Sequence, residues 1–206
     1  RYQIQFEGAA TFGTIEEVPH LYAEPSVECV DPTETNLEVC ETTNPRKRTI
    51  RRFGYALEID IQTKDIFWGF HHGLATGDST GGFGYLDRSE INRNLPAGTT
   101  DDSLTAFRFD RDYHVDLIMF RQMIGGVTNA TYFRPYLRYN LIHEPTESWG
   151  FELAAIYGYA LEKEATPGRE NPLGLEFDVE LFIEEKNRFR ASLAYGAFFP
   201  FGAFNT

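Results

Sequence analysis

The stretch Arg52-Phe-Gly-Tyr-Ala-Leu-Glu-Ile-Asp-Ile61 alternates strictly between two kinds of side chain. The odd-numbered positions are all apolar: Phe53, Tyr55, Leu57, Ile59 and Ile61. The even-numbered positions are small or charged: Arg52, Gly54, Ala56, Glu58 and Asp60. Because successive side chains of a β-strand point to opposite faces, this pattern predicts a strand with one apolar face and one polar face.

Similar alternation recurs along the rest of the chain, most clearly at 173–184 and least regularly at 66–76. The further stretches with this pattern are 2–12, 66–76, 131–142, 148–163, 173–184 and 188–199. Strands of soluble proteins average about 5–6 residues, whereas these run to about 10 or more, as a tilted strand that crosses a hydrocarbon layer does. The sequence therefore predicts an all-β fold, an antiparallel transmembrane β-barrel, in preference to a soluble β-sandwich.

The connectors between these stretches alternate in length. Residues 62–65, 143–147 and 185–187 are short turns, whereas 19–49 and 78–129 are long. Outer-membrane barrels have short periplasmic turns and longer outer loops, so both long segments are assigned to the outer side. The count of crossings then predicts seven strands and keeps 78–129 out of the barrel wall.

Residues 113–124 are markedly apolar, yet they combine helical and strand periodicities. We expect a short helix or a hairpin in the outer loop, folded into the lumen. The alternative is that a turn has been misplaced and that this stretch belongs to the wall.

The two ends of the sequence resemble interrupted strands. The chain opens inside a strand pattern and stops at Phe204-Asn-Thr206 without a closing strand. We therefore expect 1–206 to be a single β-barrel domain, incomplete at both ends, that shows about 7–8 strands of a larger barrel. A signal peptide is absent from this chain and is expected to have been removed on the way to a bacterial outer membrane.

Composition excludes several classes of function. The 206 residues carry a formal net charge of -12, so there is no basic excess to neutralise nucleic-acid phosphates. No apolar run reaches the 18 or so residues of a transmembrane helix. GxSxG, P-loop and HExxH motifs are absent, so we expect no enzyme, no catalytic residue and no cofactor.

Two cysteines, Cys29 and Cys40, lie in the polar segment 19–49. They fit a disulfide that closes this loop outside the cytoplasm, or two free thiols in a mobile loop. Their spacing matches no metal site. His71 and His72 are also assigned no shared metal, because neighbouring strand residues point to opposite faces.

The polar face of the strands supplies the candidate selectivity residues. They are charged and face the lumen if the apolar face meets lipid: Arg52, Glu58, Asp60, Arg134, Arg138, Glu152, Glu176, Asp178, Glu180 and Arg190. Opposed acidic and basic strips can set a field that selects solutes by charge. Equally, they can be cross-strand ion pairs that hold the wall together.

Several motifs resemble one family of large outer-membrane barrels. They are Phe107-Arg-Phe-Asp-Arg-Asp-Tyr-His-Val-Asp-Leu-Ile-Met-Phe-Arg121, Ile124-Gly-Gly-Val-Thr-Asn-Ala130, Gly73-Leu-Ala-Thr-Gly-Asp78 and Phe198-Phe-Pro-Phe-Gly-Ala-Phe204. The family is porin-like, occurs in myxobacteria and related delta-type proteobacteria, and is akin to the alginate-export type of porin. The resemblance implies diffusion or export across the outer membrane, and it brings no catalytic residues.

The function expected from these observations is an outer-membrane channel for small polar or charged solutes. Its partners would be outer-membrane lipid and lipopolysaccharide, with other envelope proteins at the outer loops. One alternative is a non-conducting barrel that anchors or scaffolds an envelope complex. Another is a soluble β-sandwich or lipocalin-like binder, which would bury one face of each strand in a core.

Overall fold

The fold is a single antiparallel sheet of long strands. The computed structural model describes residues 1–15, 48–79, 83, 103–143, 147–185 and 188–205. The strands within these ranges are β1 (Tyr2–Ile15), β2 (Arg48–Gln62), β3 (Ile66–Ala75), β4 (Ser103–Leu104), β5 (Ala130–His143), β6 (Glu147–Ala160), β7 (Pro172–Glu185) and β8 (Phe189–Pro200). Seven of them are 10 to 15 residues long and β4 has two. The predicted all-β antiparallel class is therefore confirmed.

The seven long strands are arranged in the sheet in the order in which they occur along the chain. The order is β1-β2-β3-β5-β6-β7-β8, and every long neighbour pair is antiparallel. The two-residue β4 joins β2 in parallel, beside Thr49 and Ile50. Within the described residues β1 pairs only with β2 and β8 only with β7, so this sheet is open at both edges.

One face of the sheet is apolar and exposed. The register aligns the apolar positions of neighbouring strands, for example Ile4 with Ile59 and Leu153 with Val179. Exposed members of this face include Tyr2, Ile4, Phe6, Phe12, Phe53, Trp68, Phe70, Phe133, Leu137, Leu153, Phe177, Val179, Leu181, Leu193, Tyr195 and Phe199. Period-two alternation thus produces a continuous apolar surface across all seven long strands.

The opposite face carries a folded-back stretch of chain, residues 103–129, which we call the inner segment. It contains a π-helical turn at Met119–Ile124 that ends at Gly125 in the left-handed conformation, with φ of 79°. Met119 and Phe120 of this turn pack with Tyr132 and Ile156 of the sheet, whose seven long strands we call the wall, and all four residues are at most 2% exposed. The hydrophobic core of the molecule therefore lies between the inner segment and the sheet.

The two limbs of the inner segment are joined to each other and to the wall. The Phe109 amide donates to the Val127 carbonyl at 3.0 Å, and the Thr128 hydroxyl donates to the Phe107 carbonyl at 2.8 Å. The Phe107 amide donates to the carbonyl of Thr76, just after β3, at 2.8 Å. These hydrogen bonds pair backbone N–H and C=O groups that the irregular inner segment would otherwise bury without partners.

The expectation that 78–129 stays out of the sheet is wrong at Ser103 and Leu104, which pair with β2. Of residues 113–124, Met119–Ile124 form one short π-helical turn, and 113–118 contain no helix or strand. The described residues contain no helix long and apolar enough to cross a membrane. Most of the loop 19–49, with Cys29 and Cys40, lies outside the described residues.

Candidate functional site

The ten candidate selectivity residues all lie on the face that carries the inner segment. The register pairs Glu58 with His71, His71 with Arg134, and Arg138 with Glu152, so these side chains share one face across four strands. Glu176, Asp178 and Glu180 alternate on the same face of β7, and Arg190 lies on β8. Arg52 is exposed near the edge of the sheet, opposite Thr11 of β1.

Glu176 holds the inner segment to the wall. Its side chain is fully buried, and its carboxylate accepts the backbone N–H groups of Leu117, Ile118 and Met119 at 3.0, 2.8 and 2.7 Å. Hydrogen bonds to an ionised acceptor are the strong ones, and three donors satisfy a charge that burial would otherwise penalise. This role differs from the expectation that Glu176 faces an open lumen.

Asp116 organises the π-helical turn from within the inner segment. Its carboxylate accepts the amides of Phe120 at 2.8 Å and Arg121 at 3.0 Å. Burial, together with the nearby charge of Glu176, raises the pKa of Asp116 to about 7, against the lowering effect of the two amide hydrogen bonds. Asp116 is therefore a buried carboxyl group that can gain a proton near neutral pH.

Tyr113 connects the other limb of the inner segment to the wall. Its hydroxyl donates to Glu58 at 2.8 Å and lies 2.9 Å from the Tyr132 hydroxyl. Burial, followed by the hydrogen bond with Tyr132, raises the pKa of Tyr113 well above its ordinary value. Tyr113 thus stays neutral and acts as a hydrogen-bond donor at any physiological pH.

Two ion pairs join neighbouring strands of the sheet without involving the inner segment. Arg134 of β5 contacts Glu152 of β6 at 3.0 Å, and Arg190 of β8 contacts Glu180 of β7 at 3.2 Å. The expected cross-strand ion pairs are therefore present at these positions, each between strands that are neighbours in the sheet. Arg190 is half exposed, so its pair adds little to stability.

Arg138 reaches further along the same face. Its guanidinium lies 3.6 Å from Glu184 and 3.9 Å from the centre of the Phe182 ring, both on β7. Since β6 lies between β5 and β7, this long side chain spans two inter-strand steps. The aromatic ring and the carboxylate together hold the guanidinium against the wall.

A half-buried cluster lies where β2, β3 and β5 meet. His71 Nε2 is 2.9 Å from Asp60 Oδ1, and the Tyr136 hydroxyl donates to the same oxygen at 2.6 Å. Arg134 Nη1 lies 3.4 Å from the other ring nitrogen of His71. His72 points to the opposite face, where its Nε2 is 2.9 Å from the Tyr55 hydroxyl.

Two cavities adjoin the inner segment. One of about 340 Å³ is bordered by Arg111, His114 and Arg121, which are exposed, together with Tyr113 and Phe120. A smaller one of about 150 Å³ lies between the inner segment and the wall. Its charged lining comprises Asp116 and Arg121 of the inner segment and Arg134, Glu152, Asp178 and Glu180 of the wall. Side chains of both charge types therefore face the remaining space.

Sequence reasoning missed the residues of the inner segment that make these contacts. Tyr113, Asp116 and Arg121 belong to the long segment 78–129, which the turn lengths kept out of the barrel wall. No pattern along the chain assigned these three residues a contact with the strands. The one available signal was Asp116 itself, a charged residue inside the apolar stretch 113–124.

Comparisons with known proteins add no assignment, because no family model, no curated protein and no solved structure matches this chain.

Proposed function

We propose that the chain forms the wall and the constriction of an outer-membrane β-barrel channel, through which small polar or charged solutes diffuse. The polar face with the inner segment lines the lumen, and the apolar face meets lipid. The free edges of β1 and β8 are paired in the complete wall, by further strands or by another copy, since closure removes the edges that an open sheet exposes.

The observation that carries the proposal is the exposed apolar face. Within the described residues no element covers it, and Leu193 and Tyr195 near the middle of β8 are each 72% exposed. Soluble monomers rarely expose apolar patches larger than a few hundred Å². A soluble sandwich or lipocalin-like binder would cover this face with a second layer.

Strand length supports the same function. A strand rises about 3.3 Å per residue, so the 12 residues of β8, tilted by about 40°, span about 30 Å. The apolar band of an outer-membrane barrel is about 25 Å tall. The long strands therefore match the hydrocarbon layer, whereas a soluble sheet has no need of seven strands of this length.

The polar face supports a narrowed aqueous path. The inner segment is anchored to three different wall strands through Glu58, Tyr132 and Glu176, so its position is fixed. Arg121 and Arg134 line the space beside it together with Glu152 and Glu180. Charges of both signs at a constriction select solutes by charge and orientation.

The second candidate function is a non-conducting outer-membrane scaffold. The same anchoring favours it, because an inner segment fixed to the wall at several points can fill the lumen of a small barrel. Both functions place the apolar face of the sheet against lipid, and they differ in whether ions pass through the protein.

Single-channel recording separates these functions. The purified protein, reconstituted in planar lipid bilayers, is expected to give stepwise, ion-conducting openings. A correctly folded protein with heat-modifiable migration on gels and no conductance would contradict the channel and support the scaffold. A protein that stays monomeric in water without detergent would contradict both and support a soluble binder.

A further inference from the structure

We propose that Glu58, Asp60 and His71 form a binding site for a divalent transition-metal ion of the Zn²⁺ type. This proposal does not depend on whether the protein conducts ions. It also differs from the adjacent-histidine site that the sequence excluded, since His72 takes no part.

Strand geometry brings the three ligands together. Glu58 of β2 is the direct register partner of His71 of β3, and Asp60 lies two residues further along β2 on the same face. Directly opposite residues of an antiparallel pair have Cβ atoms about 4.5–5.5 Å apart. The site therefore rests on paired strands, which hold ligands more rigidly than a loop does.

The ligand atoms already lie close to one another. One atom from each of Glu58, Asp60 and His71 falls within 4.8 Å of the other two, and His71 Nε2 is 2.9 Å from Asp60 Oδ1. Around tetrahedral Zn²⁺ at about 2.1 Å, ligand atoms are about 3.4 Å apart. Small side-chain rotations bring the trio to that spacing.

The donor set and the charge suit a divalent ion. Imidazole and carboxylate groups are both zinc ligands, and zinc centres with three protein ligands keep a fourth position for water. The two carboxylates balance the charge of the ion. The nearest cation, Arg134, is compensated by Glu152 at 3.0 Å. His71 and Asp60 are 18% and 32% exposed, so an ion can enter and retain a water ligand.

Two tyrosines supply the surrounding hydrogen bonds that metal ligands need. The Tyr136 hydroxyl donates to Asp60 at 2.6 Å, and the Tyr113 hydroxyl donates to Glu58 at 2.8 Å. Such partners orient ligating carboxylates and tune their affinity. Because Tyr113 belongs to the inner segment, the ion would link that segment to the wall through Glu58.

Metal titration tests the site directly. The purified protein, in detergent if it requires detergent, is titrated with Zn²⁺ by calorimetry and with Co²⁺ by visible absorption. We expect one Zn²⁺ per chain and a Co²⁺ spectrum of low coordination number. His71→Ala should lower Zn²⁺ affinity on the order of 100-fold, and Tyr113→Phe, which removes the hydrogen bonds to Glu58 and Tyr132 but no metal ligand, about tenfold.

The matched control is His72→Ala, which removes the neighbouring imidazole on the opposite face and should leave Zn²⁺ affinity unchanged. If His71→Ala does not fold, Glu58→Gln keeps the side-chain shape and should still weaken binding. No stoichiometric Zn²⁺ binding by the unaltered protein would overturn the proposal. Equal losses in His71→Ala and His72→Ala would overturn it too. The titration does not measure conductance, so a failure of the proposed metal site can be distinguished from a failure of the proposed channel.

Discussion

At the scale of single residues, the most consequential group is the buried carboxylate of Glu176. It accepts three consecutive backbone N–H groups of the inner segment, so its charge is stabilised by the fold. If the carboxylate is removed, the three backbone N–H groups remain buried without an acceptor. Their desolvation then costs more free energy than the hydrogen bonds contribute net. Docking of the inner segment therefore depends strongly on this one side chain.

Glu176→Gln should loosen the inner segment, because the neutral amide accepts at one oxygen and presents N–H groups to backbone donors. We expect the free energy of docking to fall by about 2–4 kcal/mol. Faster hydrogen exchange of the Leu117, Ile118 and Met119 amides would show this loss. Glu180→Gln on the same strand is the control, and its ion pair with Arg190 should be worth at most about 1 kcal/mol. Equal exchange rates in both variants would contradict the anchoring role.

Asp116 gives the inner segment a pH dependence of defined sign. Burial raises its pKa from 3.8 to about 7. Between these values the docked segment holds a proton that the unfolded chain has lost. The contribution to stability is therefore complete below about pH 4 and is lost as the pH rises through about 7. The charged groups that face Asp116 from the wall are Glu176 and Asp178, which carry the same sign of charge, and Arg134, which lowers its pKa.

Docking should thus weaken as the pH rises from about 4 to about 7, by at most about 4 kcal/mol, because one pKa unit corresponds to about 1.4 kcal/mol. Hydrogen exchange of the Phe120 and Arg121 amides, corrected for the intrinsic effect of pH, measures the change. Asp116→Asn, which does not titrate, should make the slope smaller. A slope of opposite sign in the unaltered protein would contradict this prediction.

At the scale of elements, the inner segment is fitted to wall strands that carry small residues beneath it. A Cβ atom added at Gly54 of β2 would meet the Phe107 ring at 2.6 Å and the Phe109 ring at 3.0 Å. A Cβ atom at Gly158 of β6 would meet Met119 at 2.8 Å. The glycines are needed here for close approach, since a larger side chain would occupy the volume of the inner segment.

Gly54→Leu should displace the Phe107 limb and destabilise docking by about 1–3 kcal/mol, as overpacking of a filled core does. If the inner segment is the constriction, single-channel conductance should rise. Gly13→Leu is the control, because Gly13 of β1 lies on the same face with nothing within 4 Å of its added Cβ. Unchanged conductance in a folded Gly54→Leu protein would show that the path does not pass beside Phe107.

At the scale of the whole molecule, the proposed function depends on which face meets which solvent. Leu193 and Ala194 are neighbours on β8 and point to opposite faces, so arginine placed at each position in turn tests the two faces at one height. On a lipid-facing surface a central arginine costs about 2–4 kcal/mol, whereas a lumen-facing arginine is solvated.

Leu193→Arg should therefore impair folding into lipid vesicles by about 2–4 kcal/mol, and Ala194→Arg should not, since Glu180 lies directly opposite position 194. Folding is measured by heat-modifiable migration over a urea series. The same small effect in both variants would contradict a lipid-facing apolar surface.

The sequence was sufficient to predict the wall. Alternation such as that of 52–61 is a local property of the strand, because each side chain faces away from its neighbour whatever the strand pairs with. The turn lengths then placed seven strands in chain order, within one to three residues of β1 to β8 at most ends, with β4 as the one short addition. The ten polar-face residues followed from the same parity.

The tertiary structure alone decided what covers the polar face. Glu176 and Glu180 occupy equivalent positions in the alternation, yet one is buried beneath the inner segment and the other pairs with Arg190 near solvent. The partners of Glu58 likewise come from Tyr113, 55 residues away, and from His71 on the next strand. The alternation of side chains along a strand specifies the face of the sheet on which each side chain lies. Contacts between distant segments depend on how the irregular inner segment packs. The sequence therefore determined the two-faced sheet, and three-dimensional packing determined which of its charged side chains anchor the inner segment, which form ion pairs and which remain exposed.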